Sequence, residues 1–277
     1  MGRVEKRMYR RRRRRAARLR WLALLGILAV AAALLIRGGQ ASFVMERIGG
    51  ATPAPRPADF DRTAQTREVT LPAETWYAIQ TGVFSTQEAA AQKADAYTQR
   101  GAPGTVIRQG EKWRVFIACY GTEGEASAVR TRLETNQKVD TYLYAWVCPE
   151  LRMRLSGMAG QLDAAEAGLT LLTSTAAALR DTAMELDAAQ LTTQEAAAAV
   201  DALDSAVTLW EETARSRFGG KLPSLLQDMM AITANWDARY AALQAAQDAT
   251  ALSAALKAQA MGMFDEICTW RTKLAAQ

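Results

Sequence analysis

Seven side chains in the middle of the sequence have the chemistry of a carbohydrate-binding surface. Five aromatic rings, one amide and one guanidinium lie along short predicted strands, at Trp76, Gln80, Arg114, Phe116, Tyr142, Tyr144 and Trp146. Aromatic rings stack on the C–H groups of sugars, while Gln and Arg hydrogen-bond to hydroxyl and acetamide groups. The bases of single-stranded nucleic acid would stack on the same rings. These residues therefore predict a surface that binds a polymer.

The composition argues against most catalytic chemistry. The 277 residues include no histidine, which excludes Ser-His-Asp and Cys-His nucleophiles and every His-ligated zinc site. A reaction that uses carboxylates alone stays possible, but the candidate acids fall on the solvent side of a predicted helix: Asp163, Glu166, Asp181, Glu185 and Asp187. Their spacing does not place two carboxylates across a cleft, as a glycosidase requires. We predict no enzymatic activity, no cofactor and no metal.

The three cysteines do not form a recognisable framework. Cys119, Cys148 and Cys268 are widely spaced, and the sequence has no CxxC motif. An odd number of thiols predicts no complete set of disulfides. Whether Cys148 and Cys268 meet in the fold stays open.

A repeated pattern between Trp76 and Val147 predicts the elements that position the aromatic residues. Each half has an alternating strand, a small residue, an aromatic residue and a helix start, so that Tyr77 corresponds to Trp113. Capping boxes are predicted at Ser85 with Glu88 and at Thr122 with Glu125. The predicted order is βαββαβ, with strands at 76–81, 105–108, 112–118 and 141–147 and helices at 86–100 and 123–134. This α+β domain would have a four-stranded antiparallel sheet with two helices on one face.

Alternation along the strands sorts their side chains between the two faces of this sheet. The face beneath the two helices should hold Tyr77, Ile79, Thr81, Trp113, Val115, Ile117, Leu143, Ala145 and Val147. The opposite face should hold the seven residues named above together with Ala78 and Ala118, and we expect it to be open. The alternative is that this face is buried against the helices that follow and that its rings are core residues.

The sequence becomes rich in Ala from Glu150 onward and predicts an antiparallel bundle of four helices over 150–277. The longest seam of apolar residues, spaced three and four apart, is Leu155, Met158, Leu162, Ala165, Leu169, Leu172, Ala176, Leu179, Ala183 and Leu186. This seam either packs within the bundle or joins two copies of the chain. Sparse charge on the outer helix faces indicates a surface for a protein partner.

The amino-terminal region carries most of the positive charge. Residues 1–20 contain eleven Lys and Arg and one acid, a net charge of 11 − 1 = +10, so the remainder carries 5 − 10 = −5. The uncharged run at 21–36 predicts a transmembrane helix, with 1–20 in the cytoplasm and the bulk of the chain outside the cell membrane. A cleaved signal peptide and a nucleic-acid-binding arm are the alternatives. Residues 37–73 are predicted to be a flexible linker rich in Gly and Pro.

The segment 74–148 resembles a SPOR domain, the sporulation-related repeat of bacterial envelope proteins. The first half has Gln80-Thr81-Gly82-Val83-Phe84 before Ser85 and Glu88-Ala89, and the second half has Trp113-Arg114-Val115. The resemblance implies binding to peptidoglycan glycan strands that lack stem peptides, through Gln80 and its neighbours on the open face. Two departures are Val83, where many members carry Ser, and Ala118-Cys119-Tyr120, where Gly-Pro-Phe is common.

These observations predict a non-catalytic, membrane-anchored protein that binds peptidoglycan at the division septum or the spore envelope. The predicted bundle would recruit an envelope protein. Because the predicted location is outside the membrane and the folded part is acidic, we expect no nucleic-acid partner. The alternatives are a wall hydrolase with a SPOR-like targeting module and an assembly protein that dimerises through its long helix.

Overall fold

The structure is a computed structural model that describes residues 64–276. The predicted basic segment 1–20, the predicted transmembrane helix 21–36 and most of the predicted linker lie outside the described residues. None of the helices within 64–276 has the length and apolarity needed to cross a bilayer.

The SPOR-like segment contains the predicted βαββαβ order. Its elements are β2 (Glu74–Phe84), α1 (Gln87–Thr98), β3 (Thr105–Gln109), β4 (Lys112–Tyr120), α2 (Glu123–Arg132) and β5 (Tyr142–Cys148), preceded by β1 (Gln65–Leu71) and followed by β6 (Leu151–Gly157). The antiparallel order β3-β4-β2-β5 forms a four-stranded sheet. The fold predicted for this segment is confirmed.

Side chains at the helix starts explain where α1 and α2 begin. The hydroxyl of Thr122 accepts a hydrogen bond from the backbone N–H of Glu125 at 3.3 Å, as predicted. The N-cap of α1 is Thr86, which accepts from the N–H of Ala89 at 3.3 Å. The prediction of Ser85 at this position is wrong by one residue, because Ser85 and Thr86 are adjacent hydroxyl residues that both suit an N-cap.

Two elements were not predicted. Residues 65–71, assigned to the linker, form β1, and Leu155, assigned to the long helix, lies in β6. β1 pairs with β6, and this pairing keeps the register of the pairing between β2 and β5. The β1–β6 ribbon therefore continues the β2–β5 ribbon. The break between them falls at Pro72 and Pro149, because proline has no N–H to donate to the ladder.

The remaining residues form five helices within the described range, where four were predicted. They are α3 (Ala159–Asp187), α4 (Thr193–Arg217), α5 (Ser224–Thr233), α6 (Trp236–Gln244) and α7 (Ala249–Ala275). The predicted third helix is divided into α5 and α6 at Ala234 and Asn235. The seam of α3 from Leu162 to Leu186 is buried, and α7 and α4 are the helices packed along α3. The seam therefore packs within the chain and is not available to a second copy.

The sheet separates two clusters of buried side chains. The face under α1 and α2 contains Ile79, Val115 and Ile117, as predicted. The opposite face shares one continuous core with the bundle, which includes α7 residues such as Phe264 and Ile267. The expectation that this second face is open is wrong over most of its area, because α7 crosses it.

Irregular pairing changes the predicted alternation in two places. The successive Cα pairs are Ile79–Ala118, Gln80–Phe116 and Gly82–Val115. One residue on each strand is therefore unpaired, Ile117 on β4 and Thr81 on β2. Ala118, predicted on the face opposite the helices, packs with the cluster under α1 and α2. Cys119 takes its place on the face that meets the bundle.

Candidate functional site

The structure brings all seven predicted site residues onto one face of the sheet. Cα pairing places Trp76 opposite Trp146 and Gln80 opposite both Tyr142 and Phe116. Directly opposed residues in an antiparallel pair point to the same face. Arg114 lies two residues before Phe116 on β4 and hydrogen-bonds to Gln80. The prediction that these residues share one face is therefore correct, but the prediction that this face is open is wrong for part of it.

Three of the five rings are sealed beneath the bundle, and we call them the covered half of the face: Trp76, Phe116 and Trp146. Their exposed fractions are 1%, 0% and 3%. The ring of Trp76 stacks on that of Phe264 from α7, with centroids 4.0 Å apart and planes within 4°. Arg180 from α3 places its Cζ 4.5 Å from the Trp76 ring centroid. The alternative that these rings are core residues is confirmed for this half.

Contacts within the covered half leave no gap for a sugar ring. Phe116 stacks on Trp146 with centroids 5.2 Å apart, and Trp146 meets the edge of Phe264 at 5.5 Å. The indole N–H of Trp76 donates to Glu74 Oε1 at 2.6 Å. A ligand would have to displace α7 to reach these rings.

The other end of the same face remains accessible, and we call it the corner: Gln80, Val83, Arg114, Tyr142 and Tyr144. Tyr142 and Val83 are 62% and 44% exposed, whereas Arg114 and Tyr144 are partly exposed and Gln80 is largely buried. Cα pairing places Val83 opposite Arg114, so Val83 belongs to the same face.

Hydrogen bonding and ring contacts hold the corner in one arrangement. Arg114 Nη1 donates to Gln80 Oε1 at 2.7 Å, which fixes the orientation of the amide. The guanidinium Cζ lies 4.8 Å from the centroid of the Tyr144 ring, a cation–π distance. Tyr144 also contacts Phe116, with centroids 5.5 Å apart, and this links the corner to the covered half. The result is a preformed group of two phenol rings, one cation and one amide.

Strand β3 adds polar residues to this face that the sequence reasoning missed. Thr105 is paired with Phe116 and Gln109 with Lys112, so both residues share the face of Arg114. Thr105 Oγ1, Gln109 Oε1 and Arg114 Nε are buried and have no hydrogen-bond partner among residues 64–276. The signal that would have found Thr105 and Gln109 is the tight turn at Gly110, which has a φ of 61° and sets the β3–β4 register.

Four of the five acids considered for catalysis form ion pairs, and they are Asp163, Glu166, Asp181 and Asp187. Arg67 Nη1 binds Asp163 at 2.8 Å and Glu166 at 3.2 Å, and these contacts help to raise the pKa of Arg67. Two further pairs are Arg180–Asp181 at 2.8 Å and Lys257–Asp187 at 2.5 Å. The geometry has no pair of carboxylates facing each other across a groove among these residues.

Neither a metal centre nor a strongly perturbed pair of carboxyl groups is found in the described part. Residues 64–276 contain no cluster of Cys, Asp and Glu that could hold a metal ion. One carboxyl has a clearly altered acidity: burial, followed by the charge of Glu266, raises the pKa of Asp265 to about 6. Asp265 adjoins Phe264 on α7, so it belongs to the helix that covers the sheet.

Comparison with known proteins identifies the sheet domain. The SPOR domain family model matches residues 73–145. Two curated relatives, the Endolytic peptidoglycan transglycosylase RlpA of Salmonella typhi and that of Salmonella typhimurium, are each 31% identical over 68 residues. This match covers 24% of the chain and 18% of each relative, so the chain spans less than a fifth of their length. No solved structure matches the chain. Residues 73–145 are a SPOR domain, and the resemblance inferred from the sequence is confirmed.

Proposed function

We propose that this protein is a non-catalytic, membrane-anchored peptidoglycan-binding protein and that the corner of its SPOR domain contacts the glycan. SPOR domains bind peptidoglycan, and residues 73–145 belong to this family. Of the seven residues predicted to bind glycan, Arg114, Tyr142 and Tyr144 are accessible, and Gln80 is held against Arg114. Contact at the corner would therefore require no movement of α7.

The observation that carries this proposal is the arrangement of Arg114 between Gln80 and Tyr144. A guanidinium held at 2.7 Å from an amide and 4.8 Å from a ring has donors in fixed directions. Glycan hydroxyl and acetamide groups are acceptors for such donors, and the exposed ring of Tyr142 offers an apolar surface for sugar C–H groups. The corner is thus chemically matched to a short stretch of glycan.

The anchor and the cellular site are further parts of the proposal. The net charge of +10 in residues 1–20 and the uncharged run at 21–36 support a single membrane-spanning helix with the SPOR domain outside the cytoplasm. Residues 37–63 would then connect the membrane to the fold. Action at the division septum or the spore envelope, and recruitment of an envelope protein by the outer surface of the bundle, complete the proposed function.

A wall hydrolase is the less supported alternative. The relatives named as transglycosylases match this chain over 68 residues, a stretch as short as the SPOR domain. Four of the five acids of α3 considered for catalysis are paired with cations.

Sedimentation with purified sacculi tests glycan binding at the corner. The full chain in mild detergent should sediment with sacculi, and more of it should do so after an amidase has removed stem peptides. Arg114→Ala and Tyr142→Ala should each weaken binding to amidase-treated sacculi about tenfold, the effect of losing one charge-assisted hydrogen bond or one ring contact.

Matched controls separate a contact at the corner from a general loss of charge or apolar surface. Arg108→Ala removes an exposed Arg from β3 on the opposite face, and Val147→Ala alters an exposed residue on the opposite face of β5. Both controls should bind like the unaltered chain. If no sedimentation occurs, peptidoglycan binding is wrong, whereas sedimentation unaffected by Arg114→Ala and Tyr142→Ala means that another surface binds the glycan.

A further inference from the structure

We propose that Cys148 and Cys268 form a disulfide site that, when oxidised, joins the end of β5 covalently to α7. This inference goes beyond glycan binding, because it concerns how the SPOR domain is fastened to the bundle. The two residues come from different parts of the chain, and nothing in their sequence spacing indicated that they meet.

The fold brings the two thiols close to each other. Cys148 is the last residue of β5, Cys268 lies in the second half of α7, and both are buried in the core shared by sheet and bundle. Both thiols are free in this structure, and their side chains interact with each other. Disulfide geometry requires Cα atoms within about 7 Å of each other, so the bond needs the end of β5 and α7 to be packed together at this point.

A neighbouring arginine fixes this contact from the same face of α7. Arg271 follows Cys268 by about one helical turn and is 2% exposed. Its Nη1 donates to the carbonyl of Pro149, the residue after Cys148, at 3.4 Å, and to that of Pro72 at 2.9 Å. The arginine therefore holds the strand end and the helix together whether or not the sulfurs are bonded.

The third thiol is separate from this pair. Cys119 is buried on β4, and burial raises its pKa to about 12 despite the opposing charges of Arg180 and Lys257. A thiol held in the protonated form is a poor nucleophile. By contrast, the pKa of Cys148 is lowered. The interaction with the Cys268 thiol lowers it most, burial acts in the opposite direction, and the charge of Arg271 lowers it further.

The oxidation balances as a thiol–disulfide exchange with an external disulfide, such as oxidised glutathione or a dithiol oxidase in its disulfide form. The Cys148 thiolate attacks one sulfur of the oxidant, forms a mixed disulfide and releases the first thiolate. The Cys268 thiolate then attacks Cys148 Sγ and releases the second. Two protein thiols lose two electrons and two protons, and the oxidant becomes two thiols. Because both sulfurs are buried in the folded chain, we expect this step during folding.

The bond would close a loop of 268 − 148 = 120 residues that includes the whole bundle except the end of α7. Closing a long loop restricts the unfolded chain, so the oxidised form should resist unfolding better than the reduced form. A disulfide of this kind persists outside the cytoplasm.

Peptide mapping of the refolded chain tests the site directly. The full chain, reduced and unfolded in detergent and denaturant, is refolded in a buffer of reduced and oxidised glutathione and then alkylated and digested with trypsin. Peptides 139–152 and 258–271 should be recovered as one linked species, whereas peptide 115–130 should carry alkylated Cys119. Full alkylation of Cys148 and Cys268, or a link to Cys119, would overturn the proposal.

Thermal unfolding of the same material measures what the bond does. The oxidised chain should melt roughly 5–15 °C above the reduced chain. Cys148→Ser and Cys268→Ser should each abolish this difference, and Cys119→Ser should retain it. If either serine variant fails to fold, the melting temperatures of the oxidised and the reduced unaltered chain still test the proposal. A linked pair without a difference in melting temperature would refute the fastening role.

Discussion

The covered half and the corner are built from the same strands and lie on the same face of the sheet, yet they have different environments. Trp76 is sealed by Phe264, whereas Tyr142, two rows away, is 62% exposed. The difference comes from a helix that occurs much later in the chain and crosses only part of the face. An alternating aromatic pattern therefore defines a face of a sheet, but the contacts of that face decide whether it becomes core or a binding surface.

The largest loss of stability should follow a substitution in the covered half. Trp76→Ala removes a buried ring stacked at 4.0 Å on Phe264, so we expect a loss of about 3–5 kcal/mol in the free energy of unfolding. Tyr142→Ala should cost less than about 0.5 kcal/mol, because the ring is mostly in solvent. Urea unfolding followed by circular dichroism gives both values. Equal losses would show that the division into covered half and corner is wrong.

Substitution of Arg271, which joins the SPOR domain to the bundle, should cause the next largest loss of stability. Arg271→Ala removes donors to the carbonyls of Pro72 and Pro149, and we expect a loss of about 2 kcal/mol. Backbone amides near the ends of β2 and β5 should then exchange hydrogen faster, while those of α1 should not. Lys273→Ala, which removes an exposed cation from the same helix, should cost less than about 0.5 kcal/mol. Slower exchange, or no change near the prolines, would contradict this role.

Much of the SPOR domain could be predicted from local sequence signals. Strand alternation placed Trp76 and Ile79 on opposite faces, and Thr122 with Glu125 marked the start of α2. The heptad spacing of α3 predicted its buried residues from Leu162 to Leu186. These features depend on periodicity within one element, which the sequence contains in full.

The relation between the two halves of the chain could not be predicted. The docking of α7 on the sheet depends on matching surfaces far apart in sequence, and Phe264 has no local signal that distinguishes it from other bundle residues. The pairing of β1 with β6 was missed because residues 65–71 were assigned to the linker and Leu155 to the long helix. The contact between Cys148 and Cys268 follows from the docking of α7 and was inaccessible for the same reason.

The ionisation of Asp265 on α7 should change the stability of the fold by less than the substitutions of Trp76 and Arg271. The pKa of Asp265 is raised to about 6, so the folded state binds the proton more tightly than the unfolded state. The stability of the fold should therefore be highest below about pH 4 for this group and fall as pH rises toward about 6, with the full cost present above that value.

Asp265→Asn removes this ionisation and tests its sign. At pH 7.5 we expect the variant to be more stable by about 1 kcal/mol, a value reduced for partial exposure to solvent, and at pH 4 we expect little difference. The matched control is Glu212→Gln, an exposed acid on α4. A variant that is destabilised at pH 7.5 would mean that the ionised carboxylate stabilises α7.

The smallest effect should be a gain of binding at the corner. Val83 is exposed opposite Arg114 and stands where the SPOR resemblance implies Ser. Val83→Ser would add a hydroxyl that both donates and accepts beside the guanidinium, and we expect about two- to fivefold tighter binding to amidase-treated sacculi. Val147→Ser makes the same exchange on the opposite face of β5 and should change nothing. An equal effect of both substitutions would show that the corner does not contact the glycan.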